Sequence, residues 1–126
     1  MLIAHAPLAS ALRSAALHVF PEAGRCIAAL DVPADESPEQ TLATAQAALI
    51  LAHQDKSVTG TLVMTDVLGA TPCNVARQLV GDAQIFCVTG ASLPMLLRAI
   101  TYVHEPLASM AQRALVGAAQ GAVTVN

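Results

Sequence analysis

His5 closes the apolar run at positions 1–4, and Asp66 stands near the end of the apolar stretch GTLVMTDV (60–67), sixty-one positions further on. An imidazole and a carboxylate at two strand ends form a pair with a definite chemistry. A carboxylate that accepts a hydrogen bond from one ring nitrogen fixes the tautomer and leaves the other nitrogen with a lone pair for nucleophilic attack. That is the chemistry of a phosphohistidine carrier. The plainer alternative is a histidine that merely plugs a strand end, and strand order alone does not decide between the two.

For the pair to meet, both strands must lie in one sheet and run the same way. Short apolar runs alternate along the chain with longer segments of helical periodicity, the pattern of βαβ units around a parallel sheet. LIA (2–4) precedes a helix whose face carries Leu8, Leu12, Ala15 and Val19, and RCIAALDV (25–32) reads as the second strand. Ser37 and Pro38 start a helix that reaches about His53, since serine caps and proline suits the first turn. GTLVMTDV (60–67) is the third strand, followed by a helix capped by Thr71 with Pro72 at its first position, and AQIFCVTG (83–90) is the fourth. SLPMLLRAITYV gives a further helix, a last one runs from about Pro106 to Gln120 and stops at Gly121, and AVTVN forms a short final strand. The expectation is an α/β fold: a three-layer sandwich with a mostly parallel central sheet, in a single domain over 1–126 without repeats or linkers.

The junctions HAP, DVLGATP and GASLP each follow a strand and carry proline near a helix start. In a parallel sheet they share the carboxyl edge, where open α/β folds bind ligands, and the free N–H groups of helix starts there favour an anion. His5 belongs to that rim.

Composition removes other classes of function. Aromatic residues make up 2% of the 126 positions, with no tryptophan, so stacking platforms for nucleic acid are missing. The formal charge of −3 without a basic cluster disfavours phosphate backbones and anionic lipid. No stretch approaches a membrane span and the start has no signal-peptide pattern, so a cytoplasmic protein without direct membrane insertion is expected. Cys26, Cys73 and Cys87 form no CxxC pair, and neither a disulfide framework nor a zinc site is indicated.

The stretch LVMTDVLGATPCNVARQLV resembles the third strand, loop and helix of the enzyme IIA domains of the mannose-type phosphoenolpyruvate:sugar phosphotransferase system, in which an Asp-ended strand precedes a Gly-x-[ST]-Pro-x-Asn loop. Here these are Asp66 and Gly69-Ala70-Thr71-Pro72-Cys73-Asn74. LDVPADESPEQTL, GASLPMLLRAI and AHAPLA resemble further segments of that family, so the resemblance spans nearly the whole chain. It implies that His5 accepts a phosphoryl group from the carrier HPr and passes it to an enzyme IIB domain, that Asp66 orients the ring, and that the Thr71 hydroxyl donates to phosphoryl oxygens. Ala6, Gly69, Ala70 and Ser92 would form the rim, with Ser92 and Pro94 on the side where carriers dock. No metal or organic cofactor is implied. The resemblance also implies a homodimer in which the C-terminal strand joins the partner's sheet. Three departures stand out: a first strand with only four residues before the histidine, Pro7 where relatives have other small residues, and Leu68 in place of an aromatic.

His18, His53 and His104 sit at or beyond helix ends, where a donor suits the last carbonyls. Cys26 and Cys87 fall in apolar strands and read as small buried hydrophobes; Cys73, in the first turn of a helix, reads as packing ahead of redox sensing. The acidic ADESPE is a solvated loop before a helix start. Other functions compatible with these residues are a regulatory phospho-relay domain without transport, a subunit similar to that of dihydroxyacetone kinase, and a small-anion-binding module. Neither GxGxxG nor a Walker loop occurs, which disfavours a nucleotide.

Overall fold

The computed structural model describes residues 1–81 and 84–126. Strands β1 (Leu2–His5), β2 (Ala29–Val32), β3 (Thr61–Thr65) and β4 (Ile85–Thr89) form one sheet in the order β2-β1-β3-β4, and every pairing is parallel. Among the described residues five α-helices flank it: α1 (Leu8–Val19), α2 (Pro38–His53), α3 (Thr71–Leu79), α4 (Leu93–Thr101) and α5 (Leu107–Gly121). Among the described residues no helix is long and apolar enough to cross a membrane.

The period of two along each strand sends alternate side chains to opposite layers. Leu2, Ala4, Leu62, Met64 and Val88 pack with Ala9 and Ala16 of α1, Met95, Leu96 and Ala99 of α4, and Ala111 and Ala114 of α5. Ile3, Val32 and Val63 face the other way, onto Ala45 and Leu49 of α2 and Ala76 and Leu79 of α3. With both faces covered, β1 reads as a continuous apolar run: Leu2, Ile3 and Ala4 are fully buried, and complete burial of a Leu or Ile side chain stabilises by about 1.5–3 kcal/mol. Four residues therefore suffice to anchor this central strand.

The helix starts differ in how their free N–H groups are satisfied. Ser37 caps α2 in a full capping box with Gln40, as its sequence implies, and the Ser92 hydroxyl accepts the Met95 N–H at the start of α4. Thr71, read as a cap from sequence, is instead the first residue of α3. Ala70 is the N-cap with extended backbone, and its carbonyl accepts the first helical bond from Asn74 N–H. Pro72 consequently takes the second helical position, where its missing N–H is also harmless. The Thr71 hydroxyl makes no capping bond.

Four strand expectations are corrected. Residues 25–28 are not strand: a 3₁₀ helix occupies Pro21–Cys26, and the Arg13 guanidinium donates to the carbonyls of Gly24 (2.9 Å) and Ile27 (2.8 Å), tying this segment to α1. Cys26 is accordingly exposed and not a core residue. β3 and β4 are shorter than 60–67 and 83–90, and Ala83 lies outside the described residues. Residues 122–126 form no strand with this chain; Val123 and Val125 are exposed.

Candidate active site at the carboxyl edge of the sheet

The strand order turns about the boundary between β1 and β3: from β1 the chain moves outward to β2, and later outward on the other side to β4. At such a point the following connections diverge to opposite sides and leave a crevice at the carboxyl ends. His5 ends β1 and Asp66 follows β3, so the two flank that crevice.

They are in direct contact. The His5 Nδ1 lies 2.6 Å from Asp66 Oδ2, and the same oxygen accepts the His5 backbone N–H at 2.9 Å. Asp66 Oδ1 accepts the N–H of Val67 at 2.9 Å. The carboxylate side chain is 7% exposed and the imidazole 52% exposed, so the orienting group is enclosed and the oriented ring is open to an approaching molecule. Burial raises the Asp66 pKa, but the His5 and Val67 N–H groups, the ring hydrogen bond and the ring's charge outweigh it and hold the carboxyl below its ordinary value. The ionised carboxylate accepts from Nδ1–H, which leaves Nε2 as the nitrogen with the lone pair.

The other sequence-derived residues lie in the loops and helix starts that follow the strands and do not bond to this pair. Ala6 is exposed in the turn after β1 and donates its N–H to the Val32 carbonyl (3.0 Å). Gly69 adopts φ +84°, a left-handed backbone open to glycine, and its carbonyl accepts the Asn74 side-chain amide at 3.0 Å. Ala70 and Thr71 start α3, while Ser92 is engaged as the cap of α4. The two loops are joined by main chain: Gly90 N–H donates to the Asp66 carbonyl (3.0 Å) and Ala91 N–H to that of Thr65 (2.9 Å).

Two contributors were not singled out from sequence. Asn74 braces the 66–74 loop through Gly69, and its signal was its place in the motif. Asp31, near the end of β2, accepts the Ser10 N–H (3.0 Å) and hydroxyl (2.5 Å) at the first turn of α1. Its signal was an acidic residue ending an apolar strand beside a helix whose N-cap, Pro7, has no side-chain acceptor. Neither Asp31 nor Asp66 forms an ion pair with Lys or Arg among the described residues.

Three further titratable candidates lie away from this pair. His53, the last residue of α2, pairs through Nε2 with the Thr61 hydroxyl at 2.9 Å. Cys73 is buried in α3; Cys87 is half-buried in β4, and burial pushes its thiol up to about 11.

No curated protein sequence matches the chain. Among solved structures, the mannose/sorbose specific IIA subunit of the phosphotransferase system from Enterococcus faecalis superposes with a TM-score of 0.86 at 25% identity, covering 99% of this chain and 92% of that one. The IIA protein associated with the fucose utilization operon of Streptococcus pneumoniae matches with a TM-score of 0.83 at 18% identity, covering 98% and 89%. The phosphotransferase system component EIIA of Streptococcus agalactiae gives 0.73 at 22% identity, covering 98% and 93%; these last two share the fold. The family model for the PTS system fructose IIA component, EIIA-man, matches residues 1–116. A parallel sheet with a histidine and a carboxylate paired across its central crevice thus has a family to go with it: the chain belongs to the EIIA-man family of phosphotransferase-system IIA components.

Proposed function

We propose that the chain is a phosphocarrier that takes a phosphoryl group from phospho-HPr onto Nε2 of His5 and passes it to an enzyme IIB component in the cytoplasm. The observation that carries the reading is the 2.6 Å contact between His5 Nδ1 and the enclosed Asp66 carboxylate, beside a ring that is half exposed. In the first transfer the Nε2 lone pair forms a bond to phosphorus as the phosphorus–nitrogen bond of the donor breaks, and that electron pair returns to the donor imidazole. Asp66 keeps the proton on Nδ1 and stabilises the positive charge that develops on the ring. The second transfer runs the same exchange toward the acceptor.

Phosphoryl transfer between imidazoles asks mainly for in-line alignment and for donors to the equatorial oxygens. Of the four helices that follow a strand, α1 has its first turn taken by Asp31, α2 by Ser37 and α4 by Ser92, while α3 carries no side-chain cap. This favours the Gly69-Ala70-Thr71 loop, with the uncommitted Thr71 hydroxyl, as the source of those donors. Ala6 and Ser92 would border the docking surface. We further propose a homodimer, because β4 is an edge strand and 122–126 is an exposed apolar tail.

The direct test is incubation with phosphoenolpyruvate, enzyme I and HPr, followed by mass spectrometry under conditions that preserve phosphohistidine, with His5→Ala alongside. Phosphate on His5 that is absent from the variant is expected. A folded wild-type chain that takes no phosphate from active phospho-HPr overturns the reading in favour of an anion-binding module.

A further inference from the structure

We propose that Asp31 is a positioning residue for His5, holding the His5 turn from the β2 side as Asp66 holds it from the β3 side; the inference rests on the phosphocarrier reading. β1 lies between β2 and β3, and only Ala6 and Pro7 separate His5 from α1. Two successive residues of β2 grip the two sides of this connection. The Val32 carbonyl accepts the Ala6 N–H at 3.0 Å. The Asp31 carboxylate accepts the Ser10 N–H at 3.0 Å through Oδ1 and the Ser10 hydroxyl at 2.5 Å through Oδ2.

The first turn of a helix leaves N–H groups that a capping side chain usually satisfies from the preceding residue. In α1 that residue is Pro7, which has nothing to offer, and the cap is supplied from a neighbouring strand. A cap of this kind does more than stabilise a helix: it ties the start of α1 to a fixed point of the sheet. Ser10 completes the link, since its hydroxyl reaches Asp31 at 2.5 Å and has the Pro7 carbonyl at 3.2 Å as its other acceptor. Asp66 fixes one edge of the imidazole, whereas the direction in which Nε2 is presented also depends on where the backbone leaving His5 is anchored. In-line transfer is sensitive to displacement of the reacting nitrogen on the ångström scale.

The experiment compares phosphoryl transfer from phospho-HPr to wild type, Asp31→Ala, Asp31→Asn and Ser10→Ala, with the ¹⁵N shifts of the His5 ring recorded on each unphosphorylated protein. Asp31→Ala is expected to lower the transfer kcat about tenfold with KM for phospho-HPr unchanged, and to move the His5 ring shifts. Asp31→Asn, which keeps an acceptor for the Ser10 N–H, should recover most of the rate. If Asp31→Ala does not fold, Ser10→Ala decides, with an expected fall in kcat of about threefold at unchanged KM. Folded variants with wild-type kcat and wild-type ring shifts overturn the inference. Failure of wild type to accept phosphate strikes the phosphocarrier reading instead, and the ring shifts then test the hold on His5 by themselves: unmoved shifts in a folded Asp31→Ala overturn it.

Discussion

Asp66 binds His5 twice through a single oxygen: Oδ2 meets the ring at Nδ1 (2.6 Å) and the backbone N–H (2.9 Å), while Oδ1 is held by the N–H of Val67 (2.9 Å). Ring and main chain are fixed against one enclosed acceptor. The Asp66→Asn variant keeps the shape but loses the charge and the preference for a proton on Nδ1. Transfer to His5 should fall by about 10²–10⁴-fold, read as the rate of phosphohistidine formation from phospho-HPr. Stability should fall by about 1–2 kcal/mol, toward the low end because the ring is half exposed.

The same carboxylate sets a pH dependence. Its pKa is lowered in the folded chain, so the folded state binds the proton less readily than the unfolded one. Its stabilisation is therefore complete above the unfolded value of about 4 and is lost as pH falls through the folded value. Denaturant unfolding of wild type and Asp66→Asn should show a stability difference that is constant above about pH 5 and shrinks below about pH 4. A difference that grows on acidification would reverse the assignment.

Two glycines should respond differently to alanine. At Gly69 nothing lies within 4 Å of an added Cβ, so the cost is the left-handed backbone alone, about 1–2 kcal/mol, and the effect on transfer should exceed the effect on stability. At Gly117 an added Cβ would stand 2.6 Å from the Arg98 Cβ, where α5 crosses α4. Gly117→Ala should cost about 1–3 kcal/mol in denaturant unfolding while leaving the His5–Asp66 ring shifts unmoved.

Ile3→Ala removes a fully buried side chain from a central strand, beside Val63 and Val32 and against the α2–α3 layer. A loss of about 2–5 kcal/mol is expected by denaturant titration. Because β1 has only four residues, faster hydrogen exchange should spread to the Ala6 amide.

Removing the residues after Gln120 tests the proposed dimer. Sizing should show a shift to monomer; an unchanged dimer would show that the exposed tail with Val123 and Val125 plays no part in association.

Much of this was readable in the chain because burial and local chemistry agreed. The continuous apolar run of β1, the Ser37-Pro38 start of α2 and the proline-marked junctions each have a local cause. What escaped depends on contacts distant in sequence. Residues 25–28 look like a strand until Arg13 captures the Gly24 and Ile27 carbonyls for α1. Thr71 looks like a cap because serine and threonine usually are, yet Pro72 tolerates the first or second helical position, and the loop closed by Asn74 and Gly69 selects the second. The His5–Asp66 pairing followed from strand order with the motif, whereas the Asp31–Ser10 link needed the register of β2 against β1.

The loops after β3 and β4 are joined by main-chain atoms, Gly90 N–H to the Asp66 carbonyl and Ala91 N–H to that of Thr65. No side chain takes part in that seam. At Ala91 the seam therefore depends on the path of the backbone and not on the side chain, and that path leads directly into the Ser92 cap of α4. The start of α4 and the loop that carries the carboxylate are thus fastened to each other as one unit, and a shift of either carries the other with it.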